Sequence, residues 1–349
     1  MTPVGESGDF IGQAEADSPA DGLFLPDEDG LDAGLAELEW REGAVGADFH
    51  GQRLDRALAA LVPEFSRNYL QQLIEAGALE LDGRVVRKTA TKVKVGEVLR
   101  VALKPTPQSQ AFQPEPMDLA VVHEDEHLLV IDKPAGLVVH PAPGNWSGTL
   151  LNGLLAHHAG ARLLPRAGIV HRLDKDTSGL MVVAKTRTVM EALVALIAAR
   201  DVRREYIALA HKPWQGEPLQ TVEQAIGRDP RQRVRMAVVD LARHAGKPAL
   251  TEFRLLDTQP QACLVHCKLH TGRTHQIRVH MAHLGHPLVA DELYGGRPLA
   301  GLERQALHAW RLSLVHPVTG QALSWRAPLP TDLRQALASL GLGRGAELE

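Results

Sequence analysis

"GIVHRLDKDTSGLMVVAKT", residues 168–186, sets His171, Arg172, Asp174, Lys175, Asp176, Thr177 and Ser178 between two apolar runs. "GIV" and "LMVV" are short and continuously apolar, the pattern of strands buried on both faces. The segment between them, "HRLDKDTSG", is then a polar loop presented by rigid flanks, where functional groups are commonly placed. A serine nucleophile does not fit, because "DTSGL" lacks the glycine two residues before the serine that a nucleophile elbow carries. Glycine is too sparse for a phosphate-cradling loop. Asp174 and Asp176 lie only two residues apart, too close in an extended segment to flank a scissile bond as acid and nucleophile. Thr177, Ser178 and Gly179 read as turn-formers. One working carboxylate remains, Asp174 or Asp176, flanked by basic Arg172 and Lys175.

Outward from this loop, β-type runs dominate from residue 117: "LAVVHED", "HLLVIDKP", "GLVVH", "REYIALA", "LTEFRLL" and "CLVHCKLH". Two stretches are clearly helical, "TLLNGLLAHHAG" (149–160) and "TVMEALVALIAAR" (188–200). That mixture predicts an α+β fold with a mixed, largely antiparallel sheet rather than regular α/β alternation. The chain shows no fixed-period repeat and no dinucleotide-type glycine fingerprint.

The 349 residues suffice for two or three domains, and 44% hydrophobic residues are ample for their cores. The apolar runs are far too short to cross a bilayer, and the acidic start lacks the basic-then-apolar pattern of a secretory signal. With only two cysteines, a disulfide framework is excluded and a cytoplasmic location is expected. The net charge of −4 is unevenly spread. Residues 1–44 hold 12 Asp and Glu against Arg41 alone, a charge of −11, which leaves about +7 on the remainder. The body is basic, and residues 1–48 read as an acidic, disordered, solubilising tail.

Residues 49–104 form a pattern of their own. Leu54, Leu58 and Leu61 line one helical face, and Tyr69, Leu70, Leu73 and Ile74 line a second, opened by Ser66 and closed by Gly77. "LELDGRVV" predicts a hairpin with an Asp-Gly turn. Arg53, Arg67, Lys88 and Lys92 are among its cations, suited to phosphate contact through counterion release. Residues 105–116, rich in Pro and Gln, read as a linker, 117–338 as the main domain and 339–349 as a C-terminal tail.

Three further motifs stand out. Cys263, His266, Cys267 and His270 have the donors for zinc, but strand alternation puts the cysteines with apolar neighbours and the histidines on the opposite face. No metal site is expected there. In "HTGRTHQIRVHMAHLGHP" (270–287), Arg278 lies between apolar Ile277 and Val279 in a strand or short helix, and a buried guanidinium needs a carboxylate from elsewhere. Tyr206, in "RREYIALA", reads as a strand tyrosine, most simply part of a core.

"GIVHRLDKDTSGLMVVAKT" resembles the signature of the RluA family of RNA pseudouridine synthases, His-Arg-Leu-Asp-x-x-Thr-Ser-Gly. The family's other motifs follow in order: "IDKPAGLVVHPAPGN" (131–145), "REYIAL" (204–209), "LHTGRTHQIRVHMAHLGHPLVADELYGG" (269–296) and "ALHAWRLSLVHPVTG" (306–320). Residues 51–103 resemble the S4 RNA-binding domain. The resemblance implies the pseudouridine synthase fold preceded by an S4 unit, and isomerisation of uridine in large-subunit ribosomal RNA, in the loop of helix 69. It implies Asp174 as the catalytic carboxylate, Tyr206 as the ring-packing base and Arg278 as the guanidinium pairing with Asp174. It also implies that Arg172 fills the space left by a flipped nucleotide. His171, Arg273 and His275 are expected as RNA contacts with Arg53, Arg67, Lys88 and Lys92. A monomer without metal, cofactor or membrane attachment is expected. One departure is Ala290, in "VADELYGG", where the family usually has glycine. Two other readings, a non-catalytic S4-type ribosome-assembly factor and a hydrolase using a carboxylate and histidine, lack a sequence feature of their own.

Overall fold

The computed structural model describes residues 39–103, 111–142, 144–232 and 234–343, which fall into two compact units divided after Ser109. The first unit contains β1 (Glu39–Ala44), α1 (Leu54–Leu61), α2 (Arg67–Glu75), β2 (Leu79–Leu81), β3 (Arg84–Val85) and β4 (Val98–Leu103). Its antiparallel sheet has the order β1-β4-β2-β3. Ser66 Oγ accepts the Tyr69 N–H at 3.3 Å and opens α2, as its position predicts. Asp82 and Gly83, at φ 49° and 73°, form the left-handed turn that matches the twist of paired strands. Leu54 and Leu58 of α1 pack with Leu70, Leu73 and Ile74 of α2 over Leu79 and Val101 of the sheet.

β1 corrects the reading of residues 1–48 as a uniform disordered tail. It pairs with β4 from Glu39↔Leu103 to Ala44↔Val98. The Arg100 guanidinium of β4 lies 4.3 Å from the centre of the Trp40 ring and 3.8 Å from Glu42. Acidic residues on an exposed face thus find a basic partner strand, which a composition argument cannot see. Residues 1–38 lie outside the described residues.

The second unit begins with β5 (Val121–Glu124), β6 (Leu128–Lys133), α3 (Leu150–His157), β7 (Ser178–Ala184), α4 (Arg187–Ala199), β8 (Arg203–His211) and β9 (Leu219–Glu223). It continues with β10 (Ile226–Arg228), β11 (Met236–Val238), β12 (Gly246–Lys247), β13 (Leu250–Thr258), β14 (Ala262–Leu269) and α5 (Gln276–His283). β15 (Leu307–Val315), β16 (Ala322–Arg326) and α6 (Thr331–Ser339) complete it. Its nine-stranded sheet runs β5-β6-β7-β15-β8-β14-β13-β9, with β16 also on β15, and β10 to β12 form a small separate sheet. Among the described residues only β7–β15 is parallel, so the sheet is mixed and largely antiparallel, as expected.

The continuous apolar runs are explained by cover on both faces. Leu129, Ile131, Met181 and Val183 join one cluster with Leu150 and Leu154 of α3 and Ile277 and Met281 of α5. Leu128, Val130, Leu180 and Val182 join another with Val189 and Leu193 of α4. α6 covers the second face further along, against Ile207 and Leu264.

Several local expectations change. "GIV" is not a strand; Arg166, Ala167 and Gly168 all have positive φ and curl the chain, leaving one bridge between Ile169 and Val183. "GLVVH" is not a strand either, because the Val138 and Val139 carbonyls accept the Leu150 and Leu151 N–H groups at the start of α3. Ser178 and Gly179 belong to β7 rather than to a turn. Gly179 has φ +111°, and a Cβ there would overlap the Ala309 carbonyl and lie 2.6 Å from its nitrogen, so only glycine lets β7 meet β15.

The linker and tail expectations also narrow. Residues 104–110 lie outside the described residues, but Ala111, Gln113 and Glu115 are bound to the second unit. Asn152 Nδ2 donates to the Ala111 and Gln113 carbonyls at 2.9 and 2.8 Å, and its own carbonyl accepts the Glu115 N–H at 3.0 Å. At the other end Leu342 is buried against α6, and the Gly341 carbonyl accepts from Gln259. Residues 344–349 are outside the described residues.

Candidate active site

The 171–177 loop is clamped through its backbone. Lys133, at the end of β6, is fully buried, and its Nζ donates to the carbonyls of Pro134, Leu137 and Lys175, each at 2.9 Å. Burial pushes this amine down to about 8, against the pull of Asp176 and Asp174. Arg304 donates to the Asp176 carbonyl at 2.9 Å while Asp332 holds the rest of its guanidinium, and Thr177 N–H returns to the Asp174 carbonyl at 3.1 Å. With the main chain held in this way, the Asp174 carboxylate is presented 18% exposed. The Asp176 carboxylate makes no hydrogen bond or ion pair among the described residues. Geometry thus separates two carboxylates that spacing alone leaves equivalent.

Arg278 meets Asp174 from α5. The HTGRTHQ turn before that helix is fixed by Gln276, which accepts from Thr271 and the Arg273 N–H and donates to Leu250 and Thr251. The alternation Ile277-Arg278-Val279 is a helical stretch in which all three are buried. Nε and Nη2 of Arg278 grip Asp291 at 2.7 Å each, a forked pair. The remaining side, Nη1, donates to Asp174 Oδ2 at 3.0 Å. Burial lowers the Arg278 pKa, but the hydrogen bonds and charges of Asp291 and Asp174 outweigh it and hold the group firmly protonated. Asp291 follows Ala290, whose φ of +58° lies in the left-handed region that favours glycine.

Two more groups complete this side. The Tyr294 hydroxyl accepts the Met236 N–H at 3.0 Å and meets His275 Nδ1 at 2.8 Å. Nε2 of His275 faces Asp174 Oδ1 at 3.8 Å. Burial, ahead of the opposing Asp174 charge, lowers the His275 pKa and supports the neutral form. The Tyr294 ring lies 5.0 Å from the Arg278 guanidinium.

Tyr206 and Arg204 share the face of β8 that joins the α3/α5 cluster. Burial, opposed by Arg204 and aided by Asp174, pushes the Tyr206 phenol up to about 12, so it is protonated at neutral pH. Its hydroxyl makes no hydrogen bond among the described residues. Arg172 is exposed and has no carboxylate partner among them. Arg273 Nε donates to the Pro248 carbonyl at 3.0 Å. His171 has one ring nitrogen committed inside the fold: Nε2 accepts the Val182 N–H at 3.1 Å, and burial, then Arg204, pushes the ring down to about 3.

Residues 127–283 match the RNA pseudouridylate synthase family and residues 52–99 the S4 domain. A ribosomal large subunit pseudouridine synthase D from Neisseria meningitidis is 45% identical over 329 residues, covering 90% of this chain and 86% of its own. This chain belongs to the RNA pseudouridine synthase family. The corresponding protein of Nitrosomonas europaea is 47% identical over 307 residues, covering 86% and 87% of the two chains. Among solved structures, human RNA pseudouridylate synthase domain containing 4 superposes with a TM-score of 0.50 at 26% identity, over 64% of this chain and 93% of its own.

In this pseudouridine synthase the S4 cations divide into two kinds. Arg53 and Arg67 both donate to Asp55, at 3.0 and 2.9 Å, and Gln71 donates as well at 2.7 Å. Burial acts to raise the Asp55 pKa, but these bonds prevail and hold the carboxyl well below its usual range. The two arginines therefore neutralise a buried carboxylate, which limits their freedom to follow a phosphate backbone. Lys88 and Lys92 are exposed and unpaired among the described residues. The metal-type donors of β14 are spread across both faces: Cys263 and Cys267 are in the core, while His266 pairs with Glu205 at 3.2 Å, and His270 lies just beyond the strand.

Sequence reasoning missed Asp291, Lys133 and Tyr294. Asp291 had a signal, a carboxylate in the run "PLVADELYGG" when a buried arginine was in need of one. Lys133 had another, a lysine closing an apolar strand ahead of proline. No helix among the described residues is long and apolar enough to cross a membrane.

Proposed function

We propose that this enzyme isomerises uridine to pseudouridine in the helix 69 loop of large-subunit ribosomal RNA, with Asp174 as its working carboxylate. The observation that carries the chemistry is the single charge-assisted bond from Arg278 to Asp174, with the arginine fork occupied by Asp291. The relatives named ribosomal large subunit pseudouridine synthase D support the ribosomal substrate, and the S4 unit supports structured RNA.

The reaction breaks the N1–C1′ bond, turns the uracil and joins C5 to C1′; the C5 proton leaves and N1 gains one. Nothing is oxidised and no group is transferred to another molecule, so a carboxylate and positioning groups suffice. Asp174 acts on the ribose, at C1′ or at the 2′ proton. Arg278 orients it, and Tyr206 packs against the uracil as a neutral phenol from which the C5 proton can be relayed. Extrusion of the uridine costs a few kcal/mol of stacking, and exposed Arg172 fills the gap. Lys88, Lys92, Arg273 and His275 contact RNA.

Tritium release from large-subunit RNA containing 5-tritiated uridine tests the reading. Asp174→Asn should fall to background while binding RNA normally, and Asp176→Asn should retain most activity. Turnover by Asp174→Asn would refute the role of Asp174. The target is read separately, by carbodiimide-blocked reverse transcription in a strain lacking the gene. Helix 69 stops that persist there would refute it.

A further inference from the structure

Arg204 is 6% exposed, yet its Nε is a buried donor without an acceptor, and its guanidinium makes no ion pair among the described residues. A fold does not bury a guanidinium idly, because an unpaired buried charge is costly and buried polar groups are nearly always satisfied. Arg304 and Arg278 each obey that rule, with carboxylates at 2.7 Å. Arg204 is the exception, and it shares the β8 face of Tyr206.

Its surroundings are cationic. Burial and then the charges of Arg200 and Arg204 push the Arg273 pKa down, and Arg204 adds to the lowering of His171. No carboxylate pairs with Arg172, Arg200, Arg204 or Arg273 among the described residues. The position is also shaped for close approach: a Cβ on Gly272 would stand 2.8 Å from Arg204 Nη1, so glycine in the HTGRTHQ turn leaves the guanidinium its place.

We propose that Arg204, with Arg273 beside it, is the seat of one backbone phosphate of the substrate RNA next to the extruded uridine. The Nη groups, which no protein acceptor among the described residues takes, then meet phosphate oxygens supplied only when RNA binds, and the forked donors of the guanidinium suit that geometry. The partly occupied Arg273 adds charge from the rim. Arg204 binds substrate and takes no part in bond-making. The phosphate would fix the nucleotide's backbone while the base turns beside Tyr206. The inference rests on the reading of Asp174 and Tyr206 as the uridine site.

The full chain is tested for binding to a synthetic helix 69 hairpin across a salt series, with a neutral methylphosphonate placed in turn at each phosphate around the target uridine. Arg204→Met should fold at least as stably as the parent, since it removes an unpartnered buried charge. It should bind the hairpin about tenfold to a hundredfold more weakly, the loss of one charge-assisted contact. The slope of log affinity against log salt should shrink by about 0.7, one phosphate on a single strand. One methylphosphonate should weaken the parent comparably and weaken Arg204→Met no further. Gly272→Ala, which crowds the guanidinium, should reproduce the loss and serves if Arg204→Met does not fold. Unchanged affinity and slope in both variants, or equal sensitivity to every methylphosphonate, overturns the proposal. If the parent does not isomerise the hairpin, the helix 69 reading fails instead, and the same salt series on large-subunit RNA still reads Arg204.

Discussion

Asp291→Asn isolates the arrangement around Arg278. In the parent, two N–H groups of Arg278 lie 2.7 Å from Asp291 oxygens and one lies 3.0 Å from Asp174. Asparagine keeps the shape and one acceptor oxygen but removes the charge. Stranding a buried charge costs about 3–5 kcal/mol, but Arg278 has a second carboxylate within reach and can turn its fork onto Asp174. A second charge-assisted bond on Asp174 is worth about 1.5–3 kcal/mol, which the carboxylate must shed before it acts on the ribose. At 1.36 kcal/mol per decade, kcat should fall by roughly ten- to a hundredfold or somewhat more. Single-turnover tritium release with excess enzyme measures this, and filter binding measures affinity for RNA, which should not change. Asp291→Glu, which restores the charge, should recover part of the rate. Parent-like turnover in Asp291→Asn, or a loss confined to binding, would refute the idea that Asp291 keeps Arg278 from over-holding Asp174.

Two further outcomes test the frame that carries the site. Gly179→Ala drives a Cβ into the Ala309 backbone at a φ of +111°, so it should break the only parallel pairing of the large sheet and destabilise the second unit by about 4 kcal/mol or more, measured by denaturant unfolding. His308 is buried between Ser178 Oγ and the Ala327 carbonyl, and burial pushes it down to about 4 from the ordinary 6.5. The unfolded chain therefore binds a proton between pH 6.5 and 4 that the folded one refuses, and stability is full above 6.5 and falls with pH through that window, by on the order of 3 kcal/mol from this group. His308→Gln should flatten that limb of the thermal midpoint against pH; an unaltered limb would show that other groups set it.

Much of the framework is local and therefore legible in sequence. The Ser66 cap, the Asp-Gly turn, α3, α4 and the paired apolar strands follow from side-chain oxygens, positive φ and hydrophobic period, all properties of neighbouring residues. Local signals fail where a distant group takes over. The acidic β1 is held by Arg100, "GLVVH" gives its carbonyls to α3, and Arg53 and Arg67, which look free, are bound to Asp55.

The sequence by itself determined that a polar loop precedes the apolar strand β7, that Arg278 needs an acidic partner, and which family carries this motif. The resemblance named Asp174 as the partner of Arg278; the tertiary structure supplied the bond itself across 104 residues of chain, and it alone showed that Asp291 occupies the arginine's fork. Lys133 shows the reason most directly: its Nζ reaches the carbonyl of Lys175, 42 residues along the chain, while holding that of Leu137, and such a contact exists only once the sheet has brought them together. Spacing along a chain encodes local geometry, whereas the charge partner of a buried group is a fact about space.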